Sequence, residues 1–391
     1  MNWNWQQPDW PSFSWDQRRL SQVEQAFLKG GGLILGKIAH LEAGESDSLI
    51  AETVTVEAMT TSEIEGEFLD RDSVQSSIRR QFGLAADATR ARSAEEGIAE
   101  MMGDLYHGAA DPLDDDSLYR WHEQVMRGRR DVRDVGRYRT HPEPMQVVSA
   151  ALTDPTVHFE APPSARVPGE MNAFLDWFGT TAPAGTHPLP AVTRAGLSHL
   201  YFVSIHPFED GNGRIARAIS EKALEQGLGD PTLTALSATL LAHRGEYYAQ
   251  LEAANKRNEV TPWLAWFAGI TLEAQRRTQA LVDFILDKTR LLTRLGDQLN
   301  PRQQKALLRM CREGPAGFQG GLSAGNYVSI TGAATATATR DLADLVEKGA
   351  LVRTGERRGT RYHLSIKTGH VPRVTVAPNG QIEQADQPVG L

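Results

Sequence analysis

The chain has 391 residues, of which 40% are hydrophobic and 23% charged, and its formal net charge is −8. This composition is typical of a folded globular chain with two or three domains, and it excludes a wholly disordered protein. The single cysteine, Cys311, excludes an internal disulfide and a cysteine-rich zinc site and favours a reducing compartment, most simply the cytoplasm.

The charge is divided unevenly along the chain. Residues 301–370 carry 11 Lys and Arg against 5 Asp and Glu, whereas residues 1–300 carry 29 against 42. This split indicates a basic module that follows an acidic body. No apolar run reaches the ~18 residues of a membrane-spanning helix, and no basic residue precedes Arg18 to form a signal peptide. We therefore expect no membrane partner.

The first fifteen residues are unusually aromatic, since they hold four of the eight tryptophans and two prolines. Proline restricts the residue before it and lacks an amide donor, so this segment is expected to be an extended or turn-rich strap. Its aromatic rings would dock on the body of the protein or, less simply, on a partner. From Asp16 to about Gly83 apolar residues recur near the helical period. Residues 1–85 are therefore predicted to form a helical N-terminal extension.

Helical periodicity continues through most of the chain to Leu295, so the fold class is predicted to be mainly α. Residues 86–290 would form the second and largest domain. Within this domain only residues 145–149 (MQVVS) have the pattern of a strand.

The strongest chemical signal is the string HPFEDGNGRIAR at residues 206–217. His206 titrates near neutrality and can act as a general base. Asp210 supplies the oxygen ligands that Mg²⁺ prefers. The glycine-rich turn after it precedes a helix, so its amides and the helix dipole favour an anion. Arg214 and Arg217 lie three residues apart and share one face of that helix. Together these residues predict a polyphosphate site beside a base.

The whole string resembles the signature of the Fic family, H-x-F-x-[D/E]-G-N-G-R-x-x-R, and every specified position matches. The resemblance covers roughly residues 90–290. It includes residues 136–139 (GRYR), similar to the segment that leads into the family's β-hairpin flap, and Tyr247 and Tyr248 downstream. It implies a Fic helical core with a small hairpin flap. It also implies an enzyme that transfers AMP from ATP to a Ser, Thr or Tyr hydroxyl of a target protein.

The resemblance also implies a role for each matching residue. His206 would deprotonate the target hydroxyl, and Asp210 would hold Mg²⁺ on the α- and β-phosphates. Phe208 would face the core and fix the loop. The remaining positions are the anion-binding turn (Gly211, Asn212, Gly213), the arginines that neutralise the β- and γ-phosphates (Arg214, Arg217) and the flap strand that pairs with the target main chain (Met145, Gln146, Val147, Val148, extending to Ser149).

A second constellation lies upstream, at residues 61–66 (TSEIEG). On a helix Thr61 and Glu65 would lie one turn apart on the same side. The segment resembles the family's inhibitory motif, [S/T]-x-x-x-E-[G/N], which implies that Glu65 pairs with Arg217 and keeps ATP in an unproductive pose. The alternative is that Glu63, Glu65 and Glu67 form a solvated acidic patch at a helix end, with Gly66 as the helix stop.

Residues 291–370 coincide with the basic segment. Asn300 is expected to cap one helix, two more helices follow, and two short strands surround a turn with the sequence GERRG. This order resembles a winged helix-turn-helix, with four arginines on the wing (Arg353, Arg357, Arg358, Arg361). Such a module could bind DNA, recognise a protein, or serve packing and dimerisation. Residues 371–391 are expected to be a loose tail.

The sequence thus predicts a protein adenylyltransferase that is inhibited by its own Glu65. Two alternatives stay open. The first is a de-AMPylating enzyme in which Glu65 positions water, and the second is a DNA-binding transcription regulator that uses the Fic core as a nucleotide sensor. The family resemblance also makes a homodimer reasonable.

Overall fold

The computed structural model describes residues 2–41, 43–86, 92–148, 156–229, 234–318, 320–367 and 371–385. In these ranges the chain is mainly helical, which confirms the predicted fold class. The helices are α1 (Gln17–Ile38), α2 (Ala43–Ile64), α3 (Arg71–Gln81), α4 (Ser93–His107), α5 (Asp115–Val125), α6 (Val167–Thr180), α7 (Ala191–Ile205), α8 (Asn212–Leu228), α9 (Leu236–Ala242), α10 (Arg244–Ala254), α11 (Thr261–Leu295), α12 (Pro301–Cys311), α13 (Ala324–Thr331) and α14 (Thr335–Glu347).

The strands form three antiparallel hairpins in the described part of the chain. They are β1 (Gln146–Val148) with β2 (Val157–Glu160), β3 (Leu351–Thr354) with β4 (Arg361–Leu364), and β5 (Arg373–Val376) with β6 (Ile382–Ala385). No described helix combines the length and the apolar character that crossing a bilayer requires.

Helices α7 and α8 form the centre of the main body. Every residue of α7 is buried, as expected for a helix that is covered on all sides. Helix α8 packs along α7, and α1, α4, α5, α9 and α11 surround the pair. The loop between α7 and α8 contains the start of the signature string, so the candidate catalytic residues lie at the buried centre of the body.

The aromatic N-terminal strap packs on this body, as expected. Trp3 and Trp5 are buried, and the side-chain amide of Asn4 donates to Ser204 Oγ at 2.8 Å, two residues before the signature. Trp3 lies edge-on to Phe159 of β2, with ring centroids 5.4 Å apart. The strap therefore lies beneath the β1–β2 hairpin and beside the end of α7.

The C-terminal module has its own hydrophobic core, formed by α12–α14, the β3–β4 hairpin and the last turns of α11. Asn300 caps α12, because its side-chain oxygen accepts from the amides of Arg302 and Gln303. The order of three helices and a hairpin agrees with the expected element order. The 35-residue helix α11 contributes to both cores and joins the module to the body.

The expected loose tail is contradicted for residues 371–385. These residues form the β5–β6 hairpin, whose Val374 and Val376 are buried against the main core. The Glu273 carboxylate on α11 accepts from the amide of Val374 at 3.3 Å. The apolar face of β5 is buried mainly against α11, and α1 also contacts this strand. Residues 386–391 lie outside the described residues.

Candidate active site

The loop between α7 and α8 is held in place by the buried side chains of Phe208 and Asn212. Phe208 is fully buried and stacks on the ring of His122, with centroids 4.1 Å apart. The side chain of Asn212 makes two hydrogen bonds with the backbone of Phe208: its Oδ1 accepts from the amide at 3.0 Å and its Nδ2 donates to the carbonyl at 2.8 Å. Phe208 thus faces the core as predicted, and Asn212 clamps the loop through its side chain.

His206 ends α7 in the left-handed backbone region, with φ of 51°. Burial, and next the charge of Arg139, lower the pKa of His206 to about 4. The imidazole is therefore neutral at pH 7 and can accept a proton, which is what a general base requires.

Arg139 ties the His206 loop to the flap hairpin. This buried guanidinium donates to the carbonyl of His206 at 2.8 Å, to Ser164 Oγ at 2.8 Å and to the carbonyl of Pro162 at 2.5 Å. Because Pro162 follows β2 closely, one side chain fixes the position of the base relative to the strands. Arg139 belongs to the GRYR segment that the sequence associated with the flap.

Asp210 lies at the mouth of the site, and 41% of its side chain is exposed. Its Oδ1 accepts from the amide of Gly211 at 2.6 Å. Its Oδ2 lies 2.9 Å from Nη1 of Arg129. Arg129 also holds Asp131 through Nε and Nη2, at 2.8 and 2.6 Å.

Arg214 and Arg217 point from α8 into the same space, and their side chains are only 3% and 2% exposed. Arg217 donates from Nε to Thr61 Oγ1 at 2.7 Å, and from Nη2 to the Thr61 carbonyl at 2.8 Å and to Glu65 Oε1 at 2.7 Å. Arg214 donates to Glu67 Oε2 at 2.5 Å.

Two buried nitrogen atoms of these arginines, Nε of Arg214 and Nη1 of Arg217, have no hydrogen-bond partner of good geometry among the described residues. A buried donor without a partner is unfavourable. The pair therefore has spare donors for an anion with several oxygen atoms, such as a polyphosphate.

The contact expected between residues 61–66 and the signature is present, since Arg217 donates to Glu65. Glu65, which follows α2, enters the site over Gly213. A Cβ built on Gly213 would lie 2.3 Å from Glu65 Oε1, so a side chain at this position would displace the carboxylate. The close approach of Glu65 to Arg217 thus depends on the glycine.

The β1–β2 hairpin borders the site on the other side. Val147 pairs with Phe159, and the register shifts between Val147 and Val148. Both valines are largely exposed, at 40% and 49%. Of the predicted flap strand, Gln146–Val148 is a strand, Met145 immediately precedes it, and Ser149 lies outside the described residues.

Several residues that shape the site were not predicted. His122 accepts from the amide of Gly136 at 3.0 Å, and burial lowers its pKa to about 4. Glu57, on α2, accepts from the amide of Ser237, and burial raises its pKa to about 7. Arg129 is the third. Each lies on an element distant in sequence from the signature, so no local spacing could have identified it.

The site offers one carboxylate, that of Asp210, as a ligand for Mg²⁺. No cluster of three or more His, Cys, Asp or Glu able to hold a metal ion occurs within the described ranges. Mg²⁺ often keeps several waters and takes its other ligands from one or two carboxylates and the substrate phosphates. The carboxylate of Asp210, which is 41% exposed and lies 4.0 Å from the buried Arg214, has the chemistry of such a donor.

Comparison with known proteins identifies the class of domain that holds this site. Residues 112–224 match the model of the Fic/DOC family, and residues 3–84 match a domain of unknown function (DUF4172). The first match contains the complete signature, so this part of the chain is a Fic domain. The second contains both the strap and Glu65.

Two curated relatives carry the name of an enzyme, protein adenylyltransferase. The chain is 29% identical over 167 residues to protein adenylyltransferase Fic of Nematostella vectensis, covering 42% of this chain and 37% of the relative. It is 22% identical over 254 residues to protein adenylyltransferase fic-1 of Caenorhabditis elegans, covering 64% and 46%. The chain thus spans less than half the length of these two relatives.

A solved structure supports the fold. The chain resembles a Fic-domain-containing signaling protein from Bacteroides thetaiotaomicron with a TM-score of 0.50 and 19% identity, covering 68% of this chain and 95% of that one. At this identity the likeness concerns the fold alone.

Proposed function

We propose that the protein is an adenylyltransferase that transfers AMP from ATP to a hydroxyl of a target protein and that Glu65 restrains this activity. The observation that carries the proposal is the position of His206 in the loop that leads into α8, the helix that bears two buried arginines with spare donors. The names of the two curated relatives favour the same reaction.

His206 would accept the proton of the target hydroxyl, whose oxygen attacks the α-phosphorus of ATP. The bond from the α-phosphorus to the oxygen that bridges it to the β-phosphorus breaks, and pyrophosphate leaves with that oxygen. Arg214 and Arg217 would hold the charge of the leaving phosphates. Since both are almost fully buried, their attraction for phosphate is little weakened by water.

Asp210 is the residue that would hold Mg²⁺, which neutralises charge on the phosphates when it is bound. The turn of Gly211, Asn212 and Gly213 would direct backbone amides at the nucleotide from the start of α8. The Asn212 side chain is engaged with Phe208, so only its backbone is available for this role.

The flap hairpin would recognise the target. Val147 and Val148 of β1 are exposed beside the site, and the strand can add the main chain of a target segment by β-pairing. Arg139 fixes this strand pair relative to His206, so a paired segment would present its hydroxyl to the base.

Release of Glu65 tests the proposal. The Glu65→Gly variant, incubated with α-labelled ATP and Mg²⁺, should label itself or target proteins at least ~10-fold faster than the parent, because it loses a charge-assisted bond worth about 1.5–3 kcal/mol to Arg217. Glu63→Gly is the matched control, since Glu63 belongs to neither arginine pair.

The base is tested in the same assay by adding His206→Ala to Glu65→Gly. Labelling should fall to background. Equal labelling of Glu65→Gly and the parent would contradict the brake, and labelling that survives in the His206→Ala double variant would contradict the base. Removal of AMP from a pre-labelled target, faster in the parent than in Glu65→Gly, would instead favour the de-AMPylating alternative.

A second candidate function concerns the C-terminal module. Arg353, Arg357 and Arg358 are exposed on or beside the β3–β4 hairpin. None of the ion pairs found among the described residues involves these three side chains, so their charge is available for phosphates. We propose that this surface binds DNA.

Retention of the full chain on duplex DNA at low salt tests this proposal. Changing Arg357 and Arg358 to alanine should weaken retention and reduce its salt dependence by about two counterions. The matched control changes Arg290 and Arg309, which lie outside the hairpin. No retention of the parent chain would contradict DNA binding and favour a protein partner or a dimer contact.

A further inference from the structure

Glu67, which directly follows the segment at residues 61–66, brings a second carboxylate into the site. Building on the proposed adenylyl transfer, we infer that Glu67 and Arg129 form a second latch. In this latch Glu67 forms an ion pair with Arg214, and Arg129 forms an ion pair with Asp210. The phosphates of the nucleotide must therefore displace Glu67, and the metal ion must displace Arg129. The latch would act on the phosphate and metal ligands that Glu65 does not reach.

The backbone after α2 explains why two carboxylates enter the site. Helix α2 ends at Ile64, and Gly66 adopts φ of +84°, a region that favours glycine. The amides of Gly66 and Glu67 bond back to the carbonyls of Glu63 and Ser62 at 2.9 and 3.0 Å. This tight reversal turns Glu65 and Glu67 toward the same helix, α8.

The spacing on α8 matches these two carboxylates. Arg214 and Arg217 are three residues apart and therefore lie nearly one helical turn from each other. Glu65 contacts Arg217 at 2.7 Å, and Glu67 contacts Arg214 at 2.5 Å. Each arginine of the signature thus has its own carboxylate, and loss of Glu65 leaves Arg214 paired.

The pair between Glu67 and Arg214 is well placed to compete with a phosphate. The Arg214 side chain is 3% exposed and that of Glu67 is 28% exposed, so the bond lies at the border of the buried site. Arg214 is satisfied only in part, since its Nε has no partner of good geometry among the described residues. A phosphate group could use both edges of the guanidinium, and Glu67 must leave to permit this.

Arg129 closes the other half of the latch. Its Nη1 lies 2.9 Å from Oδ2 of Asp210 and 3.7 Å from Oε1 of Glu67. Its Nε and Nη2 are held by Asp131. The guanidinium and Mg²⁺ would be two cations in competition for one carboxylate, so Arg129 must withdraw from Asp210 when the metal binds. Asp131 gives Arg129 a carboxylate to which it remains bonded.

Glu67 also keeps Arg129 in place by attraction. Removal of the Glu67 charge should therefore weaken both contacts. Removal of the Arg129 charge should leave Asp210 with only the 4.0 Å approach of Arg214 Nη2 as an ion pair in the described part of the chain, while Arg214 stays paired with Glu67. The two substitutions have different expected effects. Glu67→Gln should strengthen nucleotide binding, and Arg129→Gln should chiefly strengthen metal binding.

The test measures binding rather than turnover. ADP with Mg²⁺ is titrated by calorimetry into the parent protein, Glu65→Gly, Glu67→Gln and the double variant, with Glu63→Gln as the matched control. Glu67→Gln should bind at least threefold more tightly than the parent, and the double variant at least threefold more tightly than Glu65→Gly. Glu63→Gln should equal the parent.

The metal half of the latch is tested with Mn²⁺ in the presence of excess ADP, by electron paramagnetic resonance of the free ion. Arg129→Gln should bind Mn²⁺ at least threefold more tightly than the parent, and Arg133→Gln, on the same loop, should not. A thermal unfolding curve for each variant confirms that it is folded, and Glu67→Ala serves as a second substitution.

Unchanged ADP affinity in both variants that carry Glu67→Gln would overturn the Glu67 contact, and unchanged Mn²⁺ affinity in Arg129→Gln would overturn the Arg129 contact. The proposed function fails separately. If the affinity steps are present but Glu65→Gly transfers no labelled AMP, adenylyl transfer is wrong while the latch stands.

Discussion

At the scale of single residues, the signature string contains two kinds of side chain. Arg214 and Arg217 face the anion site, whereas Phe208 and Asn212 shape the loop that presents His206. Asn212 was predicted as part of the anion-binding turn, and its side chain instead closes the loop on the backbone of Phe208. Only its amide remains a candidate for nucleotide contact.

Asn212→Ala should therefore act first on stability. The substitution leaves the amide and the carbonyl of Phe208 buried without their partners, which costs about 2–4 kcal/mol in the free energy of unfolding. Urea unfolding measures this cost. Asn212→Asp, which keeps the acceptor but loses the donor, should fall between Asn212→Ala and the parent. Equal midpoints for all three proteins would contradict the clamp.

The signature residues were identifiable from sequence because they lie in twelve consecutive positions. Glu65 was identifiable because the motif around it is itself recognisable. Arg129 could not be predicted, since its contact with Asp210 spans 81 residues along the chain and depends on the loop after α5. Glu67 was seen only as part of an acidic patch, because nothing local indicates that Gly66 turns it toward Arg214.

At the scale of elements, hydrophobic periodicity predicted the helices well, because a helix-period pattern sustained over many residues is a strong local signal. Asn300 also marked the start of α12 correctly. The β5–β6 hairpin was missed, although β3 and β4, which are equally short, were predicted. Val374 and Val376 are buried by contacts with α11 and α1, which are distant in sequence.

The N-terminal strap has a structural role that its sequence did not indicate. Trp5 Nε1 donates to the carbonyl of Glu160 at 2.7 Å, and Trp3 packs on Phe159. The strap thus supports β2, the inner strand of the flap. Glu65, the proposed brake, lies in the same N-terminal region as the strap. This region therefore both supports the surface proposed for target binding and supplies the proposed brake.

At the scale of the whole molecule, the chain has two hydrophobic cores, and α11 contributes to both. The acidic and basic parts of the sequence correspond approximately to these two cores. In the main body, which is acidic overall, the signature places two buried arginines, Arg214 and Arg217, at the anion site. Burial of ionisable groups in that body makes its stability depend on pH. Burial lowers the pKa of three histidines, His122, His199 and His206, to about 4, 3 and 4.

The sign of this dependence follows from proton binding. In the unfolded chain these imidazoles take up protons near their ordinary pKa of about 6.5, whereas in the folded chain they stay neutral until about pH 4. The unfolded state therefore binds more protons between these limits, and folding stability falls as pH falls. Glu57 acts in the opposite direction, because burial raises its pKa to about 7 and the folded chain binds its proton first.

Burial raises the pKa of Glu24 as well, so three histidines oppose two glutamates, and the balance is a net loss of stability on acidification. The unfolding temperature should fall by about 5 °C or more between pH 7 and pH 5, at constant ionic strength. Calorimetry measures the fall. In His199→Gln it should be shallower than in the parent, because one buried imidazole is absent, whereas replacing the exposed His187 should leave it unchanged. An unfolding temperature that stays constant or rises from pH 7 to pH 5 would show that these imidazoles are not held neutral by burial.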